Sequence, residues 1–149
     1  MRLRPEEPAA GPDLLVGGVL EPARRGVAVA YRPPAWDARA RAGAIVVSEG
    51  CPLLIVEGSG VGRRSLGPYL DELVWVQSDL DLARRRGIER DIAKGEEDPE
   101  AFWEEWQAEE VQLFALERPW ERAALVVAGT PVLPHDGTAD VVVAPGIPS

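Results

Sequence analysis

Short apolar runs recur along the chain, and polar or helically spaced segments separate them. The run at 52–56 is apolar at all five positions, which is typical of a strand covered on both faces of a parallel sheet. Further runs at 27–31, 44–48, 73–77 and 123–127 predict strands, and the run at 141–143 predicts an edge strand or a surface tail.

Segments between these runs have the start and stop signals of helices. Ser78 to Asp81 read S-x-x-D, a capping box that predicts a helix through about Ala93. Asp98 and Pro99 predict the start of a second helix that places Phe102, Trp106 and Leu113 on one face, with Trp103 and Phe114 adjacent. Shorter helices are predicted from Asp13 to Gly26 and after Ser65.

This order of elements predicts an α/β fold with a parallel sheet. The length of 149 residues suits one domain, which we expect over 13–143. Residues 1–12, rich in proline, glutamate and alanine, are expected to form a flexible tail, and 144–149 a second tail.

Composition narrows the functional classes. A net charge of −9 argues against nucleic acid and anionic membranes as partners. No apolar run approaches the roughly 20 residues of a membrane span, and the N-terminus lacks the apolar centre of a signal peptide. The single cysteine, Cys51, fits a reducing compartment, so a cytoplasmic protein is expected.

Residues 52–65 combine an apolar run, a glycine-rich turn and two arginines, the order in which α/β proteins place phosphate groups. The phosphate-loop pattern G-x-x-x-x-G-K-[ST] nevertheless fails. Counting from Gly58 puts Arg63 at the second glycine, and counting back from Gly62 puts Glu57 at the first. Glu57, expected at the end of a strand, is the candidate catalytic residue. It can orient a Mg²⁺-bound water or a substrate hydroxyl, or cap the amides of the turn.

An arginine cluster on the first long helix is the strongest candidate binding site. Arg86 and Arg90 are four residues apart and share a helix face, with Arg85 beside them. Like charges at this spacing repel, so a bound phosphate is one explanation. The alternative is a solvated basic face paired with Glu89 and Asp91.

The second long helix is strongly acidic. Between Glu96 and Glu121 there are ten acidic residues and one basic residue, Arg118. A solvated acidic face explains this pattern best. The only histidine, His135, lies in a Pro-His-Asp-Gly turn and is expected to be structural or at the surface, and no metal site is expected.

An ordered set of segments resembles uridine kinase and its P-loop nucleoside-kinase relatives, over about 13–143. These segments are Leu54-Ile55-Val56-Glu57-Gly58, 73–79, the arginine helix ending Arg90-Asp91, 98–106, 118–123 and 125–130.

The resemblance implies a three-layer P-loop nucleoside-kinase-like fold, with helices on both faces of a parallel sheet, and ATP-dependent phosphorylation of a nucleoside-like hydroxyl. ATP and Mg²⁺ would be the cofactors, and a nucleotide or nucleoside-like small molecule the partner. Arg85, Arg86 and Arg90 would bind ATP phosphates from the lid. Tyr31, Trp36 and Asp37 would contact the nucleoside, although Pro34-Ala35 stands where relatives carry a Tyr-Asp pair.

In such kinases the phosphate loop and the catalytic aspartate lie upstream of the segments that match here. The resemblance therefore implies a truncated, incomplete kinase domain, and we expect no phosphoryl transfer by these 149 residues. The alternative is a non-catalytic nucleotide-binding or protein-interaction module that uses the acidic helix, with a protein partner or a second copy of the chain. A third possibility is a partly stable domain without a ligand, because a missing first strand would leave a sheet edge bare.

Overall fold

The computed structural model describes residues 10–145, and these divide into two compact units, one ending at Asp71 and the other beginning at Glu72. Parts of both predicted tails, at 1–9 and 146–149, lie outside the described residues. The expectation of one domain over 13–143 stays a prediction.

A nearly continuous helical segment opens the N-terminal unit. Helix α1 (Ala10–Leu15) leads into a π-helical turn (Val16–Leu20) and then into α2 (Glu21–Arg24). Gly26 ends the segment with a φ of 73°, a left-handed conformation that glycine adopts without strain. The helix predicted to end at Gly26 is therefore confirmed, and it begins three residues before Asp13.

A small antiparallel sheet packs on this helical segment. Strand β1 (Val29–Tyr31) pairs with β2 (Ile45–Val47), with Val29 opposite Val47, and α3 (Pro34–Ala38) lies between them in the chain. Val19, Val29 and Val47 form the buried cluster of this unit, and Cys51 packs against it. The predicted strands at 27–31 and 44–48 are confirmed in shorter form, but they pair antiparallel.

The strand predicted at 52–56 is wrong. These residues have no regular secondary structure, and the side chains of Leu53 and Ile55 are 74% and 79% exposed. A covered strand needs a hydrogen-bonded neighbour on each side, and no described strand lies beside this run. Two short 3₁₀ helices follow it, Ser59–Gly62 and Arg64–Tyr69.

The C-terminal unit holds a three-stranded sheet and two long helices. The strands are β3 (Val74–Gln77), β4 (Leu125–Ala128) and β5 (Val143–Pro145), in the order β3-β4-β5. Strands β3 and β4 are parallel, and β5 is antiparallel to β4. The α/β class is thus confirmed, whereas parallel pairing among the described strands is limited to β3 and β4.

Helix α4 (Leu80–Ala93) and helix α5 (Pro99–Glu117) begin at capping aspartates. The Asp79 side chain accepts a hydrogen bond from the Leu82 amide at 2.7 Å, so the cap lies one residue after the predicted Ser78. Asp98 accepts from the Ala101 amide at 3.1 Å, as predicted. Arg118 ends α5 with a φ of 44°, before a 3₁₀ turn at Pro119–Glu121.

Aromatic side chains join these elements within the C-terminal unit. The Trp75 ring on β3 meets Phe114 of α5 and Trp120 edge-on, at centroid distances of 4.9 and 5.6 Å. Trp103 packs edge-on against Trp106 at 5.0 Å. Among residues 10–145, no helix is long and apolar enough to cross a membrane.

Candidate functional site

An open cleft of about 940 Å³ lies in the C-terminal unit, where the parallel strands β3 and β4 end and α4 begins. The carboxyl ends of parallel strands are where open α/β sheets bind ligands. Apolar side chains such as Leu82, Val126 and Val143 form part of its wall. The polar side chains that line it are Gln77, Ser78, Asp79, Arg86, Thr130 and His135.

Beside the cleft, the ends of β3 and β4 approach each other closely. The Gly129 amide donates to the Gln77 carbonyl at 2.8 Å, one residue beyond β4. A Cβ atom at Gly129 would lie 2.1 Å from Oγ of Ser78, far inside contact distance. Glycine at 129 therefore leaves room for the Ser78 hydroxyl beside it, and both residues line the cleft.

Thr130 ties the end of β4 to the start of α4. Its Oγ1 accepts a hydrogen bond from the Asp79 amide at 2.8 Å. The Asp79 carboxylate caps the same helix through the Leu82 amide. Both side chains thus hold the rim of the cleft in place as well as lining it.

Of the three arginines predicted to bind phosphate, only Arg86 lines the cleft. Asp79, Leu82 and Arg86 are spaced three and four residues apart, so they share one face of α4, and this face borders the cleft. Arg86 is exposed, and no described carboxylate lies within ion-pair distance of it. Arg85 is exposed and does not line the cleft.

Arg90 does not line the cleft and pairs with a buried carboxylate. Its Nε donates to Oδ1 of Asp91 at 3.1 Å, and the Trp103 indole donates to Oδ2 at 2.9 Å. The hydrogen bonds from Arg90 and from Trp103, with the nearby charge of Lys94, hold the pKa of Asp91 below its usual value. Arg90 therefore pairs with Asp91, and its predicted contact with ATP phosphates stays a prediction.

His135 reaches the cleft from the irregular segment after β4. Its Nδ1 lies 2.9 Å from the Leu133 carbonyl, which can only accept, so Nδ1 is the donor of this hydrogen bond. The next residue, Asp136, accepts from the hydroxyl and the amide of Thr138, which lowers its pKa. Sequence spacing gave no sign of this position, because no regular element connects His135 to β4.

The remaining predicted site residues belong to the N-terminal unit. Tyr31 lines a second cavity of about 490 Å³ beside Gly17 and Gly18, and its buried hydroxyl has no hydrogen-bond partner among residues 10–145. Glu57 is exposed in an irregular segment, not at the end of a strand as predicted.

Trp36 and Asp37 on α3 both contact arginines. The Arg41 guanidinium lies over the Trp36 ring at 4.0 Å, a cation–π contact. Arg32 bonds the Asp37 carboxylate and the carbonyls of Arg41 and Gly43. Asp37 therefore takes part in an arginine-centred clasp that closes the loop after α3.

Few side chains of the cleft could hold a metal ion. Among the described residues that line it, Asp79 is the only one with a carboxylate, and this carboxylate caps α4. Protein sites for Mg²⁺ use one or two carboxylates together with substrate phosphates. Within the described part of the chain, no three metal-ligating side chains come together.

No family model, no curated protein and no solved structure matches this chain.

Proposed function

We propose that the chain is a nucleoside-kinase-like, P-loop-type domain that binds the phosphate end of a nucleotide in the cleft between β3, β4 and α4. The proposal joins the sequence resemblance to the geometry of the C-terminal unit. A parallel strand pair, with helices between its strands in the chain, is the arrangement on which nucleotide sites are commonly built.

The observation that carries the proposal is the placement of Arg86. Arg86, which has no carboxylate partner among the described residues, lines a cleft that Ser78 also lines. Arginine binds phosphate oxygens through two parallel N–H donors, and hydroxyls add further hydrogen bonds. Arg84, by contrast, lies 3.6 Å from the Glu104 carboxylate, so the neighbouring charge is already compensated.

We propose further that this chain binds the nucleotide without transferring its phosphoryl group. Phosphoryl transfer needs several cationic groups around the moving phosphate and a residue that orients the nucleophile. The sequence contains no G-x-x-x-x-G-K-[ST] segment, and Arg86 is the only arginine of its helix that borders the cleft. Asp79, the carboxylate present, has a capping role.

Isothermal titration calorimetry with ATP, UMP and inorganic phosphate tests the binding proposal. Arg86→Ala should weaken nucleotide binding about tenfold or more, since a charged hydrogen-bond pair is lost. Arg85→Ala is the matched control, because it removes the same charge from an exposed position outside the cleft, and it should change affinity less than about twofold. Equal losses in both variants, or no binding by the unaltered chain, would contradict the proposal.

A radiolabel assay with ATP, Mg²⁺ and either uridine or cytidine tests the absence of turnover. We expect no labelled nucleoside monophosphate above the protein-free blank. Product formation that Arg86→Ala abolishes would show that these residues form a working kinase.

A further inference from the structure

Helix α5 carries an apolar stripe that is partly exposed to solvent. We use this term for Phe102, Trp106, Leu113 and Leu116. Phe102 and Leu116 are 59% and 75% exposed, Trp106 is 37% exposed, and Leu113 is half-buried. Large apolar side chains that stay exposed along one helix face, as Phe102 and Leu116 do, are typical of a binding surface.

The spacing of the stripe is that of a coiled-coil seam. Its members follow each other by four, seven and three residues, so Trp106 and Leu113 occupy a positions of a heptad, and Phe102 and Leu116 occupy d positions. The one seam position between Trp106 and Leu113 holds Glu109. Side chains at these positions insert between those of a facing helix, so a helix is the partner element that the stripe fits.

The negative charge beside the stripe favours a partner helix that carries positive charge. Glu109 in the seam and Glu105 beside it are both exposed, and neither lies within ion-pair distance of a described cation. An approaching helix places its own side chain opposite Glu109, where lysine or arginine pairs with the carboxylate and glutamate repels it. A second copy of the chain, with a net charge of −9, would present the same carboxylates and is therefore disfavoured.

We propose that the apolar stripe of α5 docks a basic amphipathic helix of a partner protein, with a lysine or arginine opposite Glu109. The partner helix covers Phe102, Trp106 and Leu116 with its own apolar face. This inference rests on α5 alone and is independent of nucleotide binding in the cleft.

The proposal is tested on the full chain with a labelled synthetic helix of about three heptads, with leucine at a and d and lysine opposite Glu105 and Glu109. Fluorescence polarisation measures its affinity. The double variant Phe102→Ala/Leu116→Ala should bind about tenfold more weakly or worse, because it removes both ends of the stripe.

Val111→Ala is the matched control. Val111 is an equally apolar and exposed residue of α5, but its helical position lies on the side away from the stripe. This variant should change affinity less than about twofold. The substituted side chains of Phe102, Val111 and Leu116 are all exposed, so circular dichroism should show the same helix content in every variant.

Exchanging the charges of Glu109 and of the facing peptide residue tests whether the partner helix must be basic. Glu109→Lys should weaken binding of the lysine peptide about fivefold or more, and a peptide with glutamate at the facing position should regain it. Binding that falls equally in the stripe and Val111 variants would overturn the proposal. So would binding that every stripe variant retains, or sedimentation showing a dimer of the chain that Phe102→Ala/Leu116→Ala dissolves.

Discussion

The Trp103 indole N–H donates a hydrogen bond of 2.9 Å to the Asp91 carboxylate, and this bond fixes α5 against α4. The carboxylate is only 6% exposed, and it is shared with Arg90. Buried charges are tolerated where they are hydrogen-bonded, so Trp103, Arg90 and Asp91 act as one unit. The ring of Trp103 reaches this position because Gly87, on α4, has no side chain.

Gly87→Ala should therefore destabilise the chain. The added Cβ would lie 1.8 Å from the Trp103 ring, which cannot move away without losing its bond to Asp91. Overpacking of this kind costs about 1–3 kcal/mol of unfolding free energy. Urea denaturation measures the change. Gly67→Ala, where an added Cβ meets nothing within 4 Å, should cost far less, and equal losses at both positions would contradict the explanation.

Stability should respond to pH through Asp91. Its pKa is lowered from the ordinary 3.8, so the folded carboxylate stabilises the chain fully above pH 3.8. That stabilisation is lost as the pH falls from 3.8 through the lower pKa of the folded state. Arg90→Gln removes the largest cause of the shift, so this variant should be less stable at neutral pH.

The difference in unfolding free energy between the unaltered chain and Arg90→Gln is the quantity to follow. It should stay constant between about pH 5 and 7 and shrink below pH 3.8, measured by urea denaturation at each pH. Asp136, whose pKa is also lowered, is present in both proteins and cancels. Arg85→Gln is the control, and its difference in unfolding free energy from the unaltered chain should be small at every pH. A difference for Arg90→Gln that does not change down to low pH would contradict the stabilising role of the Arg90–Asp91 pair.

The helix starts were predictable because they depend on neighbouring residues. A capping carboxylate and the amide it binds are three residues apart, so the start of α5 at Asp98 can be predicted from the sequence alone. Strands β3 and β4 were also predictable, because each lies within an apolar run of the sequence. Both features depend on patterns short enough to read along the chain.

The segment at 52–56 shows why other features were not predictable. Its composition is that of a covered strand, but a strand forms only if distant segments supply neighbours on both sides. In the described structure none does, and Leu53 and Ile55 remain exposed.

The site was predictable only in part for a similar reason. Helical spacing placed Arg86 and Arg90 together, yet it could not show that Asp91, which also accepts a hydrogen bond from Trp103, would engage Arg90. Helical periodicity fixes which way an arginine stem leaves the helix, whereas tertiary partners decide where its guanidinium ends. His135 entered the cleft through an irregular segment that has no periodicity to read.

Asp98→Ala should weaken α5 by removing its cap. The loss leaves the Ala101 amide without its acceptor and should cost about 0.5–2 kcal/mol of unfolding free energy. Glu97→Ala, one residue earlier and also exposed, removes the same charge without removing a cap and is the control. Thermal denaturation followed by circular dichroism distinguishes them, and a Glu97 effect as large as that of Asp98 would indicate charge, not capping.

The adjacent glycines of the π-helical turn should respond in opposite directions to alanine. A Cβ at Gly18 would lie 2.6 Å from the Tyr31 ring, whereas one at Gly17 meets nothing within 4 Å. Gly18→Ala should cost about 1–3 kcal/mol through this clash. Gly17→Ala should be neutral or stabilise by up to about 1 kcal/mol, because alanine loses less backbone entropy in a helix.

The pair of substitutions can be tied to Tyr31 by a double-mutant cycle. If the ring is the obstacle, Gly18→Ala should cost little once Tyr31→Ala has removed it, and the effect of Gly17→Ala should be the same in both backgrounds. Urea denaturation of the resulting variants measures the coupling. A Gly18→Ala cost that persists without the ring would place the strain in the π-helical backbone instead.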